Sequence, residues 1–263
     1  MNIFSAIQYR PRLAKCAADV RDNFRRCAGL VDRAAALGSN LMVFPELAFT
    51  GYSFLSIEEA AMAAEPWDGQ TFKSMKSVAF ELGCYVAWGY VETDGVKLYN
   101  SATVVAPSGE TVCKYRKVNL FGNDFLWAEP GMFAPQVAQT EFGTLSVIIC
   151  RDVKAKIPDN IPRTASSAPF FPHDKPDVVA ACTNWGKGGF PSTSWMDFVA
   201  NNGCTMVVAN RYGIEDNGSF QFDFGQGGSA VIGPDWKVCT SGLEFGRDCV
   251  VTAAMEPNPG VVR

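Results

Sequence analysis

Apolar and small or polar residues alternate along Asn2-Ile3-Phe4-Ser5-Ala6-Ile7-Gln8, the period of a strand with one face buried. From about Asp19 to Leu37 the period changes. Val20, Phe24, Cys27, Leu30, Val31 and Ala34 recur at helical spacing, and Gly38 supplies the stop. The run Asn40-Leu41-Met42-Val43-Phe44 predicts a second, buried strand stopped by Pro45. "GQTFKSMKSVAFELG", Gly69 to Gly83, predicts a second helix closed by glycine, and "CYVAWGYVE" a third strand. This β-α-β-α-β order with short connections predicts an α/β layered fold.

"YNSATVVAPSGETVCKY", Tyr99 to Tyr115, reads as two strands joined by a Pro-Ser-Gly turn. "GGSAVIGPDWKVCTS", Gly227 to Ser241, repeats its plan of small residues, apolar strand, Pro turn and Cys-containing strand. "LMVFPE" and "DVVAACTNW" also share a strand-then-polar pattern, so the chain reads as two related halves whose sheets can stack face to face with helices outside. Between the halves, Ile157 to Lys175 is rich in Pro and Ser, which predicts a long surface loop. A single domain over residues 1–263 is expected, with 256–263 as a turn-rich C-terminal tail.

Composition narrows the function classes. Apolar residues make up 48% and charged residues 19% of the 263, which predicts a folded chain. The net charge is -4, and the only basic cluster is Lys114-Tyr115-Arg116-Lys117, too small a patch for nucleic acid or an anionic membrane. With no membrane-length apolar run and no basic leader, a cytoplasmic location is expected. The nine cysteines form no C-x-x-C pair, which argues against a disulfide framework or a structural zinc site. Most are expected to be packed as small hydrophobes.

Three strand ends break the apolar rule. Glu46 follows Val43-Phe44-Pro45, Lys117 follows the strand holding Val112 and Cys113, and Cys150 follows Val147-Ile148-Ile149. Side chains at the carboxyl ends of strands converge in open α/β sheets, so an acid, an amine and a thiol can meet there. Together they suit nucleophilic catalysis: a thiol to attack, a carboxylate to take its proton and a cation to steady the charge on oxygen. Competing signals fail. The lone His173 falls in the Pro-rich loop, "GQGGSA" leads into a strand where a dinucleotide fingerprint must open a helix, and no Walker-type loop, H-E-x-x-H or G-x-S-x-G is present. Nothing in the sequence demands a cofactor or a metal.

The text around the three residues resembles the nitrilase superfamily of carbon–nitrogen hydrolases. "FPELAFTGY" is similar to that family's Glu segment, "KYRKVNLFG" to its Lys segment and "LSVIICRD" to its Cys segment, in the family's order. "TNW", "VVANRYG" and "GGSAVIGPD" extend the resemblance over nearly the whole chain. It implies a four-layer αββα sandwich that pairs as an αββα-αββα dimer, a Glu-Lys-Cys triad and a covalent thioester. Glu46 is then the base, Lys117 the transition-state stabiliser and Cys150 the nucleophile; Lys117 is preferred to Lys114 because it follows Tyr-Arg.

The sequence departs from the family text in places. Asn119 stands where many members have His, and "CRDVKAKIPD" replaces the usual text after the cysteine. Counting back from Gly131 puts Asp124 where many members have a second Glu, with Glu129 near by. Expected substrate-binding residues are Asp124, Trp185, Asn184, Arg151 and Tyr52. The segment Asp124 to Phe133, the 157–175 loop and the surroundings of Trp185 are expected to wall the pocket, with Phe125, Trp127 and Phe133 giving it an apolar side.

The expected activity is hydrolysis of a small linear carboxamide with release of ammonia, by a homodimer or higher homo-oligomer. N-carbamoyl and nitrile hydrolysis use the same triad and stand as alternatives. A catalytically silent binding or scaffold member is the reading from another class.

Overall fold

The computed structural model describes residues 1–154, 171, 175–186, 190–240 and 246–256. His173, most of the 157–175 loop and residues 257–263 of the expected tail lie outside the described residues. The first half runs β1 (Asn2–Gln8), α1 (Ala17–Arg26), α2 (Ala28–Ala36), β2 (Leu41–Val43), α3 (Ile57–Ala61), α4 (Gln70–Leu82), β3 (Tyr85–Thr93), β4 (Leu98–Val105) and β5 (Thr111–Arg116). The second runs β6 (Val137–Thr140), β7 (Gly143–Ile149), β8 (Val178–Thr183), α5 (Thr193–Asn202), β9 (Thr205–Asn210), β10 (Ile214–Asp216), β11 (Gln221–Asp223), β12 (Ala230–Ile232), β13 (Val238–Thr240) and β14 (Cys249–Met255).

The main strands form two six-stranded sheets, ordered β14-β1-β2-β3-β4-β5 and β13-β12-β9-β8-β7-β6. Each has three parallel strands at its centre (β1, β2, β3 and β7, β8, β9), an antiparallel strand on one side and an antiparallel hairpin on the other. The two halves thus share one topology, as the repeated sequence plan predicts, and Tyr99–Tyr115 and Gly227–Ser241 hold the equivalent hairpins. Last in the chain, β14 returns to pair with β1 over Asn2↔Met255 to Gln8↔Cys249.

Strand alternation builds two cores. Phe4, Ala6, Leu41 and Val43 point between the sheets, against Val147, Ile149, Ala180, Cys182 and Val207. Ile7, Met42 and Phe44 point outward, onto Val20, Val31 and Ala34 of the first helices and Met75 and Ala79 of α4. Buried on both faces, β2 is uniformly apolar, as central parallel strands are. The α5 helix packs against β9 of the second sheet.

The local reading needs adjustment in places. The helix expected from Asp19 to Leu37 is divided at Cys27, whose N–H turns to Phe24 O (3.2 Å) and whose thiol also donates to Phe24 O (3.0 Å), tightening the turn there. The helix at 193–202 and the β10–β11 hairpin were not legible as elements. The hairpin pairs only three residues on each strand.

Candidate active site

Glu46 sits two residues past Phe44, whose N–H still pairs with Ala87 O (2.8 Å) as an extension of β2. The chain then crosses β3 at Gly89. A Cβ there would lie 2.7 Å from Glu46 Cα and from Leu47 N, so only glycine lets the Glu46 turn lie this close. Lys117 follows β5, its N–H bonded to Asn100 O and its carbonyl accepting from Gly131 N, both at 2.8 Å. Cys150 follows β7 directly and opens a 3-10 turn, Cys150–Lys154, with φ of +43°. Such a φ is strained for a side chain with a Cβ, and strain of this kind concentrates at functional positions.

The three ends converge. Lys117 Nζ lies 2.5 Å from Glu46 Oε1 and 2.7 Å from Asp124 Oδ2, and none of the three side chains is more than 1% exposed. Asn100 Nδ2 donates to Glu46 Oε1 (2.7 Å) and Asp124 Oδ1 (3.1 Å), and Phe121 N–H to Asp124 Oδ2 (3.1 Å). Two acids thus share one amine in a dry site. Burial pushes the Glu46 pKa up, Lys117 opposes this, and the Asp124 charge adds to it. Burial works against the Lys117 charge, yet Asp124 and Glu46 hold its pKa well above the usual value. The Cys150 thiol is pushed well up by burial and then by Glu46, against the pull of Lys117 and of the Asn184 N–H at its sulfur.

The other predicted residues fall in distinct places. Asp124 belongs to the cluster, whereas Glu129 is exposed beside Lys97 at 3.5 Å. Lys114 pairs with Glu92 (2.8 Å), away from this cluster. Tyr52 is buried, and its hydroxyl donates to Phe121 O at 2.5 Å. Asn184 is buried next to Cys150. Trp185 is half-buried and packs edge-on against Trp195, ring centroids 5.6 Å apart. Arg151 is exposed, its guanidinium 5.0 Å from the Phe121 ring.

Two supporting groups were missed. Asn100 bridges both carboxylates, and the signal lay in "YNSATVV", where Asn, Ser and Thr interrupt an apolar strand yet are fully buried. Asp152 is buried behind the thiol and accepts from Tyr115 OH (2.9 Å) and from the Asn119 N–H and Nδ2 (3.0 Å each). Asn119, one of the departures from the family text, thereby ties the turn after Cys150 to the segment after Lys117. Burial pushes the Asp152 pKa up to about 6.

Among the described residues no group of three or more His, Cys, Asp or Glu side chains could hold a metal ion. No described helix is long and apolar enough to cross a membrane. A cleft of about 730 Å³ opens at the other ends of the parallel strands, beside Asn2, Val178 and Thr205, and contains none of the site residues.

Fold and site together define a class, an α/β double-sheet sandwich with a buried acid, amine and thiol at its strand ends. The carbon-nitrogen hydrolase family model matches residues 5–156, which include Glu46, Lys117 and Cys150, and the chain belongs to that family, the nitrilase superfamily. A nitrilase of Pyrococcus abyssi is 38% identical over 131 residues, 49% of this chain and 50% of the relative. A protein N-terminal amidase of Schizosaccharomyces pombe is 32% identical over 160 residues, 57% and 54% of the two chains. The human omega-amidase is 31% identical over 136 residues, 49% and 47%. The chain thus spans about half the length of these curated relatives.

Among solved structures, an amidase from Nesterenkonia sp. AN1 superposes with a TM-score of 0.74 at 21% identity, covering 97% of this chain and 94% of that one. In that structure the active-site cysteine carries acrylamide by Michael addition. A second structure of the same amidase, a cysteine-to-alanine variant in complex with butyramide, has a TM-score of 0.72 at 22% identity and covers 96% and 90% of the two chains. At these identities the likeness is one of fold.

Proposed function

We propose that the protein is an amidase that cleaves the non-peptide C–N bond of a small linear carboxamide through a cysteine thioester, with Glu46, Lys117 and Cys150 as its catalytic residues. One observation carries the reading: a buried Lys117–Glu46 contact of 2.5 Å beside a Cys150 thiol that feels both charges. The similarity to an amidase crystallised with butyramide supports the same substrate class.

The charges order the steps. A resting thiolate would add negative charge to Glu46 and Asp124, so Cys150 rests as a thiol and loses its proton as it attacks. Glu46 takes that proton while Sγ bonds to the carboxamide carbon, and the C=O electron pair moves to oxygen, where Lys117 stabilises it. The adduct collapses with cleavage of the C–N bond. Glu46 returns the proton to nitrogen, ammonia leaves, and the acyl group remains on sulfur. Water then attacks the thioester as Glu46 accepts its proton; the C–S bond breaks, the acid departs and sulfur regains a proton.

Cys150→Ala tests this. Ammonia release from simple amides is expected to vanish while thermal unfolding stays within a few degrees of wild type, and mass spectrometry is expected to find the acyl adduct on wild-type Cys150. Full activity in the variant would sink the mechanism. The αββα-αββα dimer belongs to the same proposal, and light scattering in solution checks it.

A further inference from the structure

At the end of β8, alternation sets the direction of Asn184. Cys182 pairs with Ile149, the residue before Cys150, and shares its face of the sheet, and Asn184, two residues on, leaves on that same face. The Asn184 N–H reaches the Cys150 sulfur. Its side chain is only 5% exposed, yet neither Oδ1 nor Nδ2 has a partner among the described residues. Thr183, facing the other way, is satisfied by Ala209 O (2.9 Å) and Asn210 Oδ1 (3.0 Å). A buried amide without partners is costly and calls for an explanation.

The neighbouring groups are also partly unused. Glu46 Oε1 accepts from Lys117 and Asn100, while Oε2 is buried and accepts from no described residue. Lys117 carries three N–H donors, and the two carboxylates take two of them. An unsubstituted carboxamide offers the complement, two N–H donors on nitrogen and an acceptor oxygen. Lys117 can serve the oxygen and Glu46 Oε2 one N–H, which leaves the second N–H for another acceptor.

We infer that Asn184 is a specificity-determining residue that selects unsubstituted carboxamides, its Oδ1 accepting the second N–H of the scissile amide. The inference rests on the amidase reading and sharpens its substrate class. Nδ2 of the same group is then left for an acceptor on the acyl side. An N-alkyl amide puts carbon where that N–H belongs, while an ester or a nitrile brings no N–H, and each leaves Oδ1 buried and unpaired.

The test uses one acyl group presented as primary amide, N-methyl amide and methyl ester, with the wild-type protein, Asn184→Leu and Asn184→Ala. Wild type is expected to prefer the primary amide over the N-methyl amide by at least about 100-fold in kcat/KM. Both variants are expected to lower the primary-amide to ester ratio of kcat/KM by roughly 10-fold or more, since only the amide loses a bond to Asn184. Equal wild-type rates on the primary and N-methyl amides overturn the inference whether or not the variants fold. Parallel loss on amide and ester, or no loss on the amide, also overturns it and leaves the amidase reading standing. A wild type that turns over none of a broad panel of amides and esters overturns both.

Discussion

Arg211 and Glu215 form an ion pair inside the protein, Nη2 to Oε2 at 2.6 Å, and the other Glu215 oxygen accepts from the amides of Tyr52 (2.7 Å) and Ser53 (2.6 Å). A charge pair from the second half of the chain thus holds the loop that begins at Glu46. Tyr52 passes the contact on through its hydroxyl to Phe121, whose own N–H holds Asp124. The Arg211 guanidinium lies 4.2 Å above the Phe224 ring, with Nε and Nη1 finding no acceptor among the described residues.

Removing one member of this pair strands the other. Glu215→Gln is expected to lower stability by about 3 kcal/mol or more, because the Arg211 charge stays buried without its counter-ion. Arg211→Met with Glu215→Gln is expected to cost less than the Gln variant alone, since no charge is then stranded and the Gln oxygen still accepts from Tyr52 and Ser53. Urea unfolding of the three proteins checks this; a Glu215→Gln loss below about 1 kcal/mol contradicts it.

Asp124→Asn should move the acid limb of the kcat/KM profile. The Asp124 charge helps to raise the Glu46 pKa, so neutralising it lets Glu46 ionise at lower pH. As the proposed base works ionised, the limb is expected to shift to lower pH while the rate itself falls, Lys117 having lost a partner. A limb that stays in place or moves up in pH-rate measurements speaks against Glu46 as that base.

Asp152 makes stability depend on pH in the opposite sense to a salt-bridged carboxylate. Its folded pKa is raised from the ordinary 3.8 to about 6, so between those values the folded state binds the extra proton. Its contribution is present below about pH 4 and is lost as pH rises through 6. Asp152→Asn removes this dependence, so its stability relative to wild type should improve by roughly 2 to 3 kcal/mol between pH 4 and pH 7. Denaturant unfolding at the two pH values measures the change, and a difference constant with pH refutes it.

Gly89→Ala is expected to cost activity more than its size suggests. The added Cβ would meet backbone, Glu46 Cα and Leu47 N at 2.7 Å, and backbone yields less readily than a side-chain tip. The turn that carries Glu46 must shift, and a displacement of that order lowers kcat by about 100-fold. Steady-state kinetics show it; an unchanged kcat means the turn relaxes without moving the carboxylate.

The elements were largely legible along the chain. β1 begins and ends where the alternation does, and α4 spans the stretch between Gly69 and Gly83, whose φ of +62° closes the helix. The three reactive residues were legible as strand ends, since a charge or a thiol directly after an apolar run stands out locally. Glu46, Lys117 and Cys150 lie within residues 5–156, the part that matches the family model. Glu215 and Arg211 carried no such mark, and the polar run that marks Asn100 inside its strand does not say what it faces. Each looks like an ordinary polar residue until the sheets stack and remove it from water.

Periodicity, caps and turns are interactions between near neighbours, so the sequence by itself determined most of the central strands, the first helices and α4, the two-half plan and the acid, amine and thiol at the strand ends. Only the tertiary structure decided that Asp124, and not Glu129, faces Lys117, that Asn100 joins the two acids and that Asn184 is buried without partners. Those outcomes depend on which residues, distant in sequence, share one dry volume. There desolvation sets both the charge states and the value of each hydrogen bond.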